Sequence, residues 1–96
     1  MQVKVILKRN VKKEDHDELM PLLLKLRNMA LQQPGYISGE TLVSREDPDD
    51  YLVISTWQSF EDWKRWLESN ERQKIQKQVD DILKTPTFYS VYYYGK

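Results

Sequence analysis

Pro34-Gly35-Tyr36-Ile37-Ser38-Gly39-Glu40-Thr41-Leu42, then YLVISTWQSFEDWKRW over residues 51–66, then LESNER over 67–72, is the stretch that decides the fold. Pro-Gly is a turn signal. Residues 36–44 follow as a strand with Gly39 inside it, and an interior glycine marks a bulge or a close backbone approach. Glu46-Asp47-Pro48-Asp49-Asp50 makes an acidic hairpin loop, and β-branched and aromatic residues make 51–57 a second strand of the pair. Ser59 then offers an N-cap, with Asp62 at the third helical position. Phe60, Trp63, Trp66 and Leu67 share one face of the helix it starts. A sheet here hands its chain to a helix lined with aromatics.

Working outward, residues 2–9 alternate as a strand, with Val3, Val5 and Leu7 on one face and Gln2, Lys4, Ile6 and Lys8 on the other. Leu19, Leu22, Leu23, Leu26, Met29 and Ala30 recur at helical spacing, and Asp15 with Glu18 has the form of an N-terminal cap. Two placements suit Pro21: a helix that begins near Asp17, or a longer helix that Pro21 kinks. Beyond residue 67, Ser69 or Asn70 caps a further helix whose stripe is Ile75, Val79, Ile82 and Leu83. Thr85-Pro86 ends it, and residues 87–94 form a last aromatic strand. The order β-α-β-β-α-α-β predicts an α+β, ferredoxin-like sheet with its helices on one face, in one domain over residues 1–96.

Composition bounds the function. Ninety-six residues give one core, small for an enzyme working alone. Fifteen basic and fifteen acidic residues cancel, which argues against a nucleic-acid partner. The absence of cysteine removes disulfides and zinc–thiolate sites. MQVKVILKRN is too polar for a signal peptide and no apolar run reaches membrane length, so the expected setting is the cytoplasm, with no membrane partner. The acids of 46–50 lack EF-hand spacing and read as a solvated turn. His16, the only histidine, reads as a solvated residue near a helix start.

Both faces of the strands are apolar. Val53 and Trp57 oppose Leu52 and Ile54; Phe88, Tyr92 and Tyr94 oppose Tyr89, Val91 and Tyr93. Helices cover one face only, and a wet face alternates more cleanly than this. The expected answer is a homodimer that pairs two sheets face to face.

The run from Pro34 to Leu42, Val53-Ile54-Ser55-Thr56-Trp57, and Trp63 and Trp66 before Ser69-Asn70-Glu71-Arg72 resemble the antibiotic biosynthesis monooxygenase domain. The resemblance spans nearly the whole chain. It implies a dimeric α/β barrel of two ferredoxin-like sheets, and either cofactor-independent oxidation of polycyclic phenols or heme degradation. The heme-degrading branch uses an asparagine on the first strand, a tryptophan matched here by Trp66, and a histidine ten residues on. Gln76 stands at that last position, Leu7 matches the first-strand register, and Asn10 falls near the strand's end, so heme degradation is not supported.

The cofactor-independent branch asks for an apolar, water-poor pocket, a proton acceptor and donors to an oxyanion. Trp57, Trp63 and Tyr92 are the candidate substrate-binding walls, and Trp66, Arg72 and Glu40 the candidate catalytic residues. Arg72 would hold the oxyanion and Glu40, if buried, would take the proton. No cofactor or metal ligand is expected. The partners implied are a small aromatic substrate and dioxygen. Each candidate also has a purely structural reading: Trp63 and Trp66 as core, Trp57 packed beneath the next helix, Arg72 and Glu40 as surface or ion-paired residues, Tyr92 as interface. On those readings the chain is a non-catalytic dimeric binding or stress-related module.

Overall fold

A computed structural model describes residues 1–96. The elements run β1 (Val3–Asn10), a single 3-10 turn (Lys13–Asp15), α1 (His16–Ala30), β2 (Tyr36–Val43), β3 (Asp50–Trp57), α2 (Phe60–Leu67), α3 (Asn70–Leu83) and β4 (Phe88–Tyr93). The four strands form one antiparallel sheet in the order β2-β3-β1-β4. This is the expected ferredoxin-like α+β fold.

The pairing register sorts side chains by face. Val3, Val5 and Leu7 stand beside Trp57, Ser55 and Val53 on one flank and Tyr93, Val91 and Tyr89 on the other. Together with Leu19 and Leu26 of α1, Trp63 and Trp66 of α2, and Ile75, Val79 and Leu83 of α3, the buried members of this face form the core. Ile6 stands beside Ile54, and Lys8 beside Leu52 and Phe88, on the uncovered face, where Phe88 is 63% and Tyr92 55% exposed.

Two helix starts follow from their caps. Ser59 Oγ accepts from the Asp62 amide at 3.1 Å and donates to the Asp62 carboxylate at 2.9 Å. Ser69 Oγ accepts from the Arg72 amide at 3.3 Å and donates to the Trp66 carbonyl at 2.9 Å, joining the end of α2 to the start of α3. The expected Asp15 cap is not formed: Asp15 has helical dihedrals within the 3-10 turn, and its side chain makes no capping bond. Pro21 lies inside α1, with the helix beginning at His16. Pro21 and Asp17 are both exposed, so the Asp17 carbonyl that Pro21 cannot serve meets solvent.

The turn before β2 needs glycine. Gly35 has φ 88°, and a Cβ there would run into the Asp62 side chain, so the turn and the start of α2 approach only because Gly35 has none.

Candidate functional site

A cavity of about 290 Å³ lies between α1 and the β2–β3 side of the sheet, with α2 and the first turn of α3 at its end. Leu7, Met20, Leu23 and Val53 give it apolar walls, and all three tryptophans of the chain line it. Trp57 is held from both sides. Its Nε1 donates to Ser55 Oγ at 3.0 Å, and its ring meets that of Tyr36 edge-on, with centroids 5.3 Å apart.

Tyr36 reaches this face through a bulge. Tyr36 pairs with Trp57 and Ser38 with Thr56, so Ile37 is extra and the alternation slips by one. Tyr36 and Gly39, three apart, therefore both face the helices. A Cβ on Gly39 would meet the Tyr36 hydroxyl, so the glycine is what lets that ring lie along the strand. Gly39 is thus the close approach rather than the bulge. Tyr36 has no hydrogen-bond partner for its hydroxyl and lines the cavity, a residue that sequence reasoning passed over.

The polar end of the cavity is built on arginine. Arg72, third residue of α3, is 5% exposed; its Nη2 donates to Tyr89 Oη at 2.9 Å and to Gln76 Oε1 at 3.4 Å. Its guanidinium also sits 5.3 Å from the centroid of the Tyr89 ring. From the end of β1, Arg9 Nη2 donates to the same Gln76 oxygen at 3.0 Å. Arg9 is 8% exposed, and its Nε has no partner. Burial, with a further contribution from the charge on Arg72, lowers the Arg9 pKa from the ordinary arginine value to about 10; Tyr89 and Asp80 act in the opposite direction. Gln76 turns its amide nitrogen the other way, to Asp80 Oδ1 at 2.8 Å and Thr87 Oγ1 at 3.3 Å. Neither Arg9 nor Arg72 is in an ion pair; the three salt bridges, Arg45–Glu46, Arg65–Asp62 and Lys77–Asp81, lie elsewhere.

Of the residues expected at a site, Trp57, Trp63, Trp66 and Arg72 meet around one cavity. Trp63 and Trp66 are core and wall at once, buried in the hydrophobic cluster and lining the space. Two placements need correction. Tyr92 pairs with Lys4 on the uncovered face and does not line the cavity, because strand alternation sends it to the opposite side from Tyr89 and Val91. Glu40 borders the cavity but is exposed, paired with Ile54 across the edge strand, so the condition of burial attached to its role as proton acceptor is not met.

Arg9 was missed, although a signal existed: it continues the buried alternation Val3, Val5, Leu7 by one step. Gln76 is buried and engaged by two guanidiniums, and the arrangement holds no imidazole for an iron. No three His, Cys, Asp or Glu side chains are placed together so as to hold a metal ion. No helix is long and apolar enough to cross a membrane.

A family model described as antibiotic biosynthesis monooxygenase matches residues 2–78. Protein SchA of Streptomyces halstedii is 22% identical over 83 residues, which cover 86% of this chain; the chain spans only 22% of the length of that curated relative. Among solved structures, a conserved protein from Methanosarcina mazei Go1 superposes with a TM-score of 0.87 at 22% identity, covering 96% of this chain and 91% of that one. Rv0793 from Mycobacterium tuberculosis gives 0.87 at 17% identity, over 100% and 97% of the two chains. SnoaB, a cofactor-independent oxygenase from Streptomyces nogalater, gives 0.82 at 14% identity, over 99% and 94%. At these identities the structural likenesses establish a common fold.

Proposed function

The chain belongs to the antibiotic biosynthesis monooxygenase family, and from that premise we propose that it is a cofactor-independent monooxygenase acting on an aromatic or polyketide-like phenol. The observation that carries this reading is the convergence of Trp57, Trp63, Trp66 and the buried Arg72 on one cavity. Its volume is about twice the ~150 Å³ that accommodates benzene, so a substrate of fused rings has room. Its likeness in fold to SnoaB, a cofactor-independent oxygenase, points the same way.

In this reading the tryptophans stack on the ring system and exclude water. Arg72 stabilises the phenolate, lowering the cost of removing the phenolic proton. The phenolate gives one electron to dioxygen. The resulting radical pair joins to form a carbon–oxygen bond, and the peroxide so formed loses water to leave a quinone. One oxygen atom enters the product and the other leaves as water. The phenolic proton passes to bulk water at the cavity border, and one proton returns from there to the peroxide before water is lost. The expected setting is the cytoplasm.

The uncovered face, with Ile6, Leu42, Leu52, Ile54, Phe88 and Tyr92, supports a homodimer of the barrel type, formed by apposing two sheets. Tyr92 then belongs to the interface. A monodisperse monomer in light scattering at micromolar concentration would overturn the dimer.

A second reading has its own observation. Glu40 is the one carboxylate bordering the cavity and it is exposed, which suits a binding module without chemistry. Oxygen uptake with a panel of anthrones and hydroquinones, without added metal or flavin, separates the two. Consumption of dioxygen with quinone formation is expected; no turnover by well-folded protein leaves the binding module.

A further inference from the structure

The polar end of the cavity carries more positive charge than a single phenolate would neutralise. Arg9 and Arg72 are buried there, and an exposed arginine of α1, Arg27, also lines the cavity, against one exposed carboxylate, Glu40. The two buried arginines share a neutral acceptor, Gln76 Oε1, in place of a counter-ion. The carboxylate nearest to them in the hydrogen-bond network is Asp80. It is exposed and is reached only through the far side of the Gln76 amide. Arg9 Nε is left without any partner. A buried guanidinium held by neutral groups alone is costly unless an anion arrives to meet it.

We propose that the Arg9–Gln76–Arg72 cluster makes this cavity a receptor for an aromatic carboxylate, its rings against the tryptophans and its carboxylate on the Arg9 guanidinium, with Arg72 left for the phenolate. A carboxylate holds its charge at neutral pH before any chemistry begins, and its planar pair of oxygens matches the guanidinium fork. The predominantly apolar walls set an organic acid apart from a bare inorganic anion, which gains nothing from Trp57, Trp63 and Trp66. The inference deepens the reading above by naming the substrate class, a phenol that also bears a carboxylate, and rests on that reading only for the place of the site.

The test is calorimetric titration of the full chain with 2-naphthoate and with its uncharged isostere 2-naphthamide, at one ionic strength. Neither ligand has a phenol to oxidise, so the result is independent of turnover, and oxygen uptake succeeds or fails separately. Naphthoate is expected to bind about tenfold or more tightly than the amide. Arg9→Met should erase most of that preference, and Arg9→Lys, which keeps the charge without the fork, should retain part of it. Equal affinity for acid and amide overturns the proposal, as does binding of neither, and both outcomes are read on the unmodified protein. Displacement of naphthoate by inorganic phosphate at matched concentration also overturns it, by showing that the site takes small anions without regard to rings.

Discussion

Arg9 and Gln76 are joined by a 3.0 Å hydrogen bond that fastens the end of β1 to the middle of α3 across 67 residues of sequence. The acceptor is an amide, so the bond orients the guanidinium without neutralising it. That distinction separates what the residue does for the fold from what it does for a ligand.

Arg9→Met is therefore expected to stabilise the unliganded protein. The substitution removes a buried charge that has no counter-ion, keeps much of the volume, and leaves Gln76 Oε1 to Arg72. A gain of roughly 1–2 kcal/mol is expected in denaturant unfolding, together with weaker naphthoate binding. A loss of stability would mean that the Arg9 hydrogen bond outweighs its desolvation.

The pH dependence of binding has a definite sign. Burial lowers the Arg9 pKa to about 10, so the unliganded fold sheds this proton at lower pH than the unfolded chain does. For Arg9 alone, stability thus rises with pH above about 10, until the unfolded chain loses the proton too. A bound carboxylate favours the charged form and opposes the loss. Naphthoate affinity should be level from about pH 6 to about pH 9, then fall by up to about tenfold per unit above 10. In Arg9→Met the step near 10 should vanish; its persistence would assign the titration to another group.

Gly39→Ala should act through Tyr36. The new methyl meets the tyrosine hydroxyl, and crowding of this kind costs about 1–3 kcal/mol. Tyr36→Phe removes the oxygen that is struck, so the cost of Gly39→Ala should shrink in that background. A double-mutant cycle by thermal unfolding measures this, and additive effects would place the strain elsewhere.

Ser69→Ala removes a hydroxyl that caps α3 through the Arg72 amide and also binds the Trp66 carbonyl. About 1 kcal/mol should be lost in unfolding. Because Arg72, whose amide is capped, shares Gln76 Oε1 with Arg9, naphthoate binding should weaken too. Ser59→Ala, at the start of α2, should cost similar stability while sparing the arginines. Equal losses of affinity in the two variants would count against a positioning role for Ser69.

The element order was legible because the periodicities are long and clean: Val3-Val5-Leu7 for a strand, Leu19 to Ala30 for a helix, Ser59 with Asp62 for a start. Face assignments held for β1, β3 and β4, where nothing interrupts the alternation. In β2 the interior Gly39 signalled a bulge or a close approach, but the extra residue is Ile37, whose side chain does not announce it and whose insertion changes which side chains share a face. Trp63 and Trp66 were legible as a pair on one helical face. The partnership of Arg9 with Arg72 was not, because it exists only once α3 lies across the end of β1. Glu40 and Tyr92 have side chains suited to the chemistry, but the pleat turns them outward.

The bulge at Ile37 also bears on the open edge of the sheet. β2 is an edge of the sheet, and an unbroken edge offers its free amides and carbonyls to any other strand. An extra residue near the start of β2 breaks the repeat that a foreign strand would have to match. Approach along the rim of the sheet is thereby disfavoured relative to approach through the broad apolar face, where the proposed homodimer would close. Deleting Ile37 should open the other route, visible as thioflavin-positive aggregation on standing.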